Sequence, residues 1–156
     1  MSDKRKDDDD RRAMKRAEAD KSEGKAASTQ AGEFVREEIH HVREGKHGAR
    51  STKQAIAIGL SKARRLGVDL PPPKKGTASA ETRRRAVRDA KEGATSRRKP
   101  TSQTRSQATQ KALRREGRSA ASPAALARQA RSSAKKRPAS ARSAAARRAA
   151  KTRKKR

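Results

Sequence analysis

The large apolar side chains of this sequence gather in one stretch. Ten of the fifteen Val, Ile, Leu, Met and Phe residues lie between Phe34 and Leu70. In the first part of this stretch, residues 33–44, the larger apolar positions fall on one helical arc of about 140°. They are Phe34, Val35, Ile39 and Val42. The spacing predicts an amphipathic helix, and Gly45 and Gly48 are expected to end it.

A second helix is predicted to start at Ser51. Ser51 and Gln54 have the spacing of a capping box, in which each side chain satisfies a free backbone N–H of the first turn. Gly67 is well placed to end the helix, and Pro71–Pro73 prevents its continuation. The positions on its apolar face are Ala55, Ile56, Gly59, Leu60, Ala63 and Leu66. Together the two helices predict a short αα-hairpin over about residues 33–66, within a region 33–76.

The residues before the hairpin, 1–32, form a mixed-charge arm. They hold nine Lys and Arg and eight Asp and Glu, including the run Asp7–Asp10. No apolar pattern organises them, so we expect a disordered, solvated arm. An alternative is that the acidic run folds back on the basic tail and competes with phosphate.

The residues after the hairpin, 77–156, form a basic, low-complexity tail. They carry 26 Lys and Arg against four Asp and Glu, with Val87, Leu113 and Leu126 as the large apolar residues. Start and stop signals nevertheless mark helix-competent blocks. The blocks run from Ser79 to Gly93, from Ser102 to Gly117, from Ser122-Pro123 to Pro138, and from Ala139 to Ala150. Since like charges repel, we expect these blocks to be mostly coil alone and helical on nucleic acid.

Composition supports the same fold class. Leu, Ile, Val and Phe make up about 8% of the chain and the formal net charge is +28, a combination typical of disordered proteins. A hairpin of about 35 residues is also short for independent stability. The predicted fold is therefore mostly disordered with α-helical segments: a short αα-hairpin and a long basic, helix-competent tail.

Several function classes are disfavoured by the residues present. The chain has no Cys, and its three His are His40, His41 and His47. Adjacent His residues diverge by about 100° on a helix, so we read them as solvent-facing residues near a helix end and expect no metal site. Without a core to shape a pocket, we expect no enzyme activity, no cofactor and no small-molecule substrate. Met1–Asp7 lacks the apolar stretch of a secretory signal, and no membrane span is expected.

The basic pattern favours a polyanionic partner. Each Lys or Arg that neutralises a phosphate releases counterions, and this drives sequence-independent binding. We therefore predict a cytoplasmic, nucleoid-associated protein that binds nucleic acid, with DNA favoured over RNA. The candidate nucleic-acid-binding residues are Lys53, Lys62, Arg64, Arg65, Arg83, Arg84, Arg85, Arg97, Arg98, Lys99, Arg114, Arg115, Lys135, Lys136, Arg137, Arg147, Arg148, Lys151, Arg153, Lys154, Lys155 and Arg156.

Two other functions fit the same pattern. The chain could be an RNA- or ribosome-associated protein, because such proteins carry tails of similar composition. Alternatively, the hairpin could be a protein-interaction module for which the tail acts as a localiser. The apolar face of the hairpin could also pair with a second copy to form a homodimer, or its second helix could enter a DNA groove.

One segment of the hairpin resembles a known group of proteins. The run from Glu37 to Arg65, with its core GKHGARSTKQAIAIGLSKARR, resembles a small bacterial family of uncharacterised function, some of whose members are labelled plasmid stabilisation protein. That resemblance implies no catalytic residues. The tail separately resembles bacterial linker-histone-like proteins in its Ala, Lys, Arg, Ser and Pro content, which implies association with the nucleoid.

Overall fold

The computed structural model describes residues 2–95 and 102–154, except for the side chains of residues 2–7 and 152. Helices dominate them. The α-helices are α1 Ser2–Ser22, α2 Ala27–Glu44, α3 Thr52–Arg65, α4 Ala80–Ala94, α5 Gln103–Arg115, α6 Pro123–Lys135 and α7 Ala139–Lys154, and a 3-10 turn covers Ser119–Ala121. The chain divides into two compact units, residues 1–121 and residues 122–156.

The expectation of a mostly disordered chain is wrong, because helices make up 76% of it. Alanine explains the difference. Its helix propensity is the highest of all residues, and a helix with Ala on its inner face can approach its neighbour closely. A composition rule that counts only Leu, Ile, Val and Phe overlooks the surface that these methyl groups bury.

The core of the first unit lies among the first three helices. Helix α2 packs against both α1 and α3, and α4 packs on the other helix of the hairpin, α3. Phe34, only 1% exposed, is the largest apolar side chain of the core. The remaining buried members are mostly small: Ala13, Ala17, Ala31, Ala63 and Val68.

The arm predicted to be disordered is instead α1. Ala13 and Ala17 lie one helical turn apart and are both buried, so they place one face of α1 against the core. Asp9 is buried on this side of the helix as well. Two members of the acidic run contact bases of the hairpin region: Asp9 contacts Lys46 at 2.7 Å and Asp10 contacts Lys62 at 3.5 Å.

Both predicted ends of α3 are confirmed. Ser51 accepts a hydrogen bond from the Gln54 backbone N–H at 3.2 Å, whereas the Gln54 side chain accepts one from the Arg50 N–H rather than from the cap itself. At the other end Gly67 has φ +96°, and the Val68 N–H donates to the Ala63 carbonyl at 3.0 Å. This is the Schellman arrangement that glycine at this position favours.

Two glycines allow helices to touch. A Cβ on Gly59 would lie 2.6 Å from Val35 Cα, so the α2–α3 contact requires a residue without a side chain there. Gly93 was predicted to end a helix, but it lies inside α4. A Cβ at Gly93 would lie 2.0 Å from the Arg64 carbonyl oxygen, which means that this glycine serves close packing rather than termination.

The contact at Gly59 predicts a large effect of one methyl group. Gly59→Ala should lower the free energy of unfolding by about 1–3 kcal/mol, because the backbones of α2 and α3 must separate. Gly32→Ala is the matched control, since Gly32 is helical and has nothing within 4 Å of its Cβ position. It should raise stability by about 0.5–1 kcal/mol. Urea titrations followed by circular dichroism at 222 nm measure both, and equal effects would contradict the proposed close approach.

The end of α5 and the 3-10 turn dock on the hairpin loop. The Gly48 N–H donates to the Leu113 carbonyl at 2.9 Å and the Ala49 N–H donates to the Gly117 carbonyl at 3.0 Å. Thr52 Oγ1 donates to the Ala120 carbonyl at 2.7 Å. These contacts make part of the predicted basic tail an ordered part of the first unit. Helix α2 of the hairpin also contacts α1, and both hairpin helices contact this turn, while Ile56 and Leu60 on the apolar face of α3 are only partly buried.

The second unit consists of α6 and α7. Ser122 caps α6 by accepting from the Ala125 N–H at 3.2 Å, and Pro123 occupies the first helical position, so this predicted start is confirmed. The expectation that the blocks are coil without nucleic acid is wrong for the described residues, since α4 to α7 are helical in the chain alone. None of the described helices has the length and apolar character needed to cross a bilayer.

Candidate functional site

The second unit is a concentrated block of positive charge. Residues 122–156 contain 13 Lys and Arg and no Asp or Glu. Its described basic side chains are exposed. They are Arg128, Arg131, Lys135, Lys136, Arg137, Arg142, Arg147, Arg148, Lys151, Arg153 and Lys154. A positive helical surface of this kind is well suited to bind a phosphate polymer.

One face of α6 concentrates this charge. Arg128, Arg131 and Lys135 follow a spacing of three and four residues, which places them on the same side of a helix. Together with Ser132 and Lys136 they line one shallow concavity. A hydroxyl and four cations around a concave surface provide donors in several directions for phosphate oxygens.

Some bases of the first unit have carboxylate neighbours on another helix. Arg16 donates to Glu33 at 2.5 Å and to Glu37 at 2.8 Å, and these two ion pairs join α1 to α2. Arg65 lies 3.4 Å from Asp89 and joins α3 to α4. Positive charge here holds helices together and is less available to an external polyanion.

Three predicted site residues of α3 contact other groups within the first unit. Lys62 contacts the Glu38 carboxylate at 3.0 Å, and Arg65 has its contact with Asp89. Arg64 is 7% exposed, and its guanidinium donates to the Leu70 and Pro71 carbonyl oxygens at 3.2 and 3.3 Å. Burial lowers the pKa of Arg64. Arg64 therefore fixes the chain after α3, and the structure does not favour a phosphate contact for it.

The other predicted site residues divide into four groups, and the largest of these lies in residues 135–154 of the second unit. Exposed bases without a described carboxylate neighbour are Lys53, Arg83, Arg84, Arg114 and Arg115. Arg85 is exposed but pairs with Glu81 on the same helix. Five predicted residues lie outside the described residues: Arg97, Arg98, Lys99, Lys155 and Arg156. The predicted set is thus brought together most densely in α6 and α7.

A second feature of the first unit is a buried charged cluster, which we define as Asp9, Glu38, His41, His47 and Lys62. Its centre is Glu38, whose side chain is 0% exposed. The Glu38 oxygens lie 3.1 Å from His47 Nε2 and 3.0 Å from Lys62 Nζ. Neither oxygen accepts a hydrogen bond of good geometry from a described residue, so these contacts are ionic rather than directional.

The pKa values in the cluster follow from these neighbours. Burial alone would raise the pKa of Glu38, but His47 and Lys62 outweigh it and hold that pKa below its usual value. Contact with Glu38 is also the main cause of the raised pKa of His47. Burial, helped by the nearby Lys62 and Lys46 charges, lowers the pKa of His41. His41 is therefore neutral near pH 7 while Glu38 is ionised.

The reading of all three histidines as solvent-facing is wrong for His41, which is 3% exposed, and it fits His40, which is exposed. His47 is partly buried, with 18% of its side chain exposed. A signal for the cluster was present in the sequence. Glu38 lies four residues from both Phe34 and Val42, and so in the middle of the predicted apolar arc. A carboxylate at such a position needs a buried partner.

Comparison with known proteins adds a partial family match. Residues 18–75 match a family of unknown function (DUF6496). This segment covers less than half of the chain and includes α2, α3 and the buried charged cluster, apart from Asp9. No curated protein and no solved structure matches the chain. The second unit lies wholly outside the matched segment.

Proposed function

We propose that the protein binds nucleic acid, duplex DNA in the first place, through the exposed bases of its second unit. One observation carries the proposal: 13 Lys and Arg occur in residues 122–156 without a single Asp or Glu. Each phosphate that these residues neutralise releases condensed counterions, which provides the free energy of binding.

The helical form of the second unit supports this assignment. Along α6, Arg128 and Lys135 are about 10 Å apart at a rise of about 1.5 Å per residue. Successive phosphates on one strand rise by about 3.4 Å along the duplex axis. The basic face of α6 therefore spans about three phosphates, and α7 supplies a second basic helix.

Selectivity for base sequence is expected to be weak. Readout of base edges requires side chains held rigidly in a groove, and α6 and α7 carry mainly Ala, Ser and basic residues. Stacking on unpaired bases requires exposed aromatic rings. Phe34, the single aromatic residue of the chain, is buried in the first unit. These features favour duplex backbone contacts over recognition of single-stranded loops.

Salt dependence tests the proposal. If about ten phosphates are engaged, log K for a fluorescent DNA duplex should fall with log salt at a slope near −9. Fluorescence anisotropy between dilute and physiological salt measures this slope. Parallel titrations with duplex RNA and with a structured single strand identify the preferred polymer. An affinity that does not change with salt would contradict the proposal.

A matched pair of variants separates local contacts from net charge. Neutralising the α6 face with R128Q, R131Q, K135Q and K136Q should reduce the salt slope by about 3.6, at about 0.9 per contact. The control removes four exposed charges from α1 with R11Q, R12Q, K15Q and K21Q. The control should change the slope by less than about one. Equal effects of the two variants would mean that total charge, and not this surface, determines binding.

A further inference from the structure

The buried charged cluster brings together atoms that bind metals in proteins. A carboxylate oxygen of Glu38 and one ring nitrogen each of His41 and His47 lie within 4.8 Å of one another. Two of the three residues are on the inner face of α2, and the third follows Gly45 in the loop before α3. The hairpin itself therefore brings these three residues together.

The outer nitrogen of each imidazole already has an acceptor. His41 Nε2 lies 3.0 Å from Asp9 Oδ2, and His47 Nδ1 lies 3.0 Å from the Gly48 carbonyl oxygen. For His41, which is neutral near pH 7, the Asp9 acceptor assigns the N–H proton to Nε2, whereas His47 has an acceptor at each ring nitrogen because Glu38 Oε1 lies 3.1 Å from its Nε2. His41 Nδ1 therefore carries a lone pair, and an ion bound at the centre would displace the proton from His47 Nε2, as metal binding does at protonated ligands.

The centre of the cluster lacks a directed donor. Glu38 is fully buried, and neither of its oxygens has a hydrogen-bond partner of good geometry among the described residues. His41 Nδ1 is 4.0 Å from Glu38 Oε2, too far for a hydrogen bond. Lys62 Nζ offsets the Glu38 charge from 3.0 Å without a directed hydrogen bond, so a metal ion between Glu38 and the two rings would satisfy carboxylate oxygens that are buried without a directed partner.

We propose that Glu38, His41 and His47 form a binding site for a divalent transition-metal ion of the Zn²⁺ class. Two imidazoles and one carboxylate suit zinc better than Mg²⁺ or Ca²⁺, which prefer oxygen ligands. Bonds of about 2.0–2.1 Å in a tetrahedron separate ligand atoms by about 3.3 Å, so atoms that lie within 4.8 Å of one another must approach by about 1.5 Å or less. Water can take the fourth position on the side where His47 is exposed.

The Asp9–His41 contact completes the arrangement. Zinc-binding histidines commonly donate their second ring N–H to a carboxylate, which fixes the tautomer and the direction of the ring. Asp9 supplies that carboxylate from α1, a different helix. Asp9 is held in place by Lys46, which contacts the same carboxylate oxygen at 2.7 Å.

A neighbouring group of two carboxylates and a histidine is a weaker candidate for a metal site. Asp9, Glu37 and His41 also lie within 4.8 Å of one another. However, Asp9 already pairs with Lys46, and Glu37 accepts a hydrogen bond from Arg16 at 2.8 Å. His41 would need to use the nitrogen that donates to Asp9. We therefore expect one ion per chain, at Glu38.

Lys62 provides a distinctive test because its charge opposes the ion. Its Nζ lies 3.0 Å from Glu38 Oε2 and 3.5 Å from Asp10 Oδ1, so it can move toward Asp10 when the ion arrives. K62M removes this competing charge. The variant should bind zinc more tightly than the natural chain, by about tenfold or more, and a merely damaged fold would not produce such a gain.

The experiment uses the full chain freed of nucleic acid, with Zn²⁺ titrated against a chromophoric chelator and Co²⁺ as a spectroscopic probe. The natural chain and H40A, the matched control with an exposed imidazole, should bind one ion with the same affinity. H41A and H47A should bind at least about 100-fold more weakly, and D9N about 10–100-fold more weakly. Bound Co²⁺ should give the intense visible bands of a tetrahedral site. Circular dichroism of each variant checks that its helices remain.

Three outcomes would overturn the site. One is a natural chain that binds Zn²⁺ no more tightly than about 100 μM, a strength typical of scattered surface histidines. Another is a loss of binding in H40A equal to that in H41A. The third is a K62M variant that keeps its helices and binds zinc less tightly than the natural chain. The site is independent of nucleic-acid binding, because every ligand lies in the first unit.

Discussion

A chain that ends at Ala121 is expected to lose most of its affinity for duplex DNA. The shortened chain keeps the first unit and all the ion pairs described above, but it lacks 13 Lys and Arg. If about eight of them contact phosphate, the affinity should fall by about 10³-fold at low salt and the salt slope should become less steep by about 7. Fluorescence anisotropy on the same duplex, at several salt concentrations, measures both quantities.

The same shortened chain has a built-in control for folding. Circular dichroism should show that α1 to α4 persist, because their contacts lie within the first unit. If the shortened chain binds as tightly as the full one, the exposed bases of α4 and α5 carry the binding instead. Arg83, Arg84, Arg114 and Arg115 would then become the residues to neutralise.

Phe34→Ala should have the largest effect on stability of any single apolar substitution in the chain. Phe34 is the largest fully buried apolar side chain, and it contacts a core otherwise made largely of alanine. The neighbouring alanine side chains are too short to fill the space that Phe34 would leave, so the cavity should remain. The expected cost is about 3–5 kcal/mol, which is a large fraction of the stability of a small domain. Urea unfolding followed at 222 nm should show the transition shifted far toward low denaturant.

Val87→Ala is the matched control for this effect. Val87 lies on α4 and is 49% exposed, so its truncation should change the free energy of unfolding by less than about 0.5 kcal/mol. A small effect of Phe34→Ala would mean that the first unit is held mainly by ion pairs. In that case its stability should also depend strongly on salt.

Local signals in the sequence predicted many helix ends. Ser51, Ser79 and Ser122 cap their helices through a side-chain oxygen, as their positions before helical stretches indicated. Gly67 ends α3 with a positive φ, as its position directly after the apolar face predicted. Such signals depend on a few neighbouring residues, so they can be read without knowledge of the tertiary structure.

Tertiary contacts explain what the sequence did not predict. Gly93 has the chemistry of a helix stop, yet α4 continues through it because Arg64 of α3 packs there. The first 32 residues have balanced charge and few large apolar side chains, but Ala13 and Ala17 bury one face of α1. A pattern based on large apolar residues cannot detect a helix whose inner face is alanine.

The two candidate sites also differ in how far the sequence predicts them. The basic character of α6 and α7 depends on composition alone and could be predicted. The buried charged cluster could not, because Asp9, Glu38 and His47 come from three separate elements. The position of Glu38 within the apolar arc of α2 indicated a buried carboxylate, but the sequence could not show which residues from other elements contact it.

The alanine-rich core has a consequence for how this protein can diverge. At Ala13, Ala17 and Ala63 the side chain is buried, and methylene groups added to a well-packed core cost about 1–3 kcal/mol. Selection at these positions should preserve small side chains more strongly than apolar ones, so that Gly or Ser is tolerated where Leu is not. Distant members of such a lineage will be recognised by the positions at which bulk is forbidden.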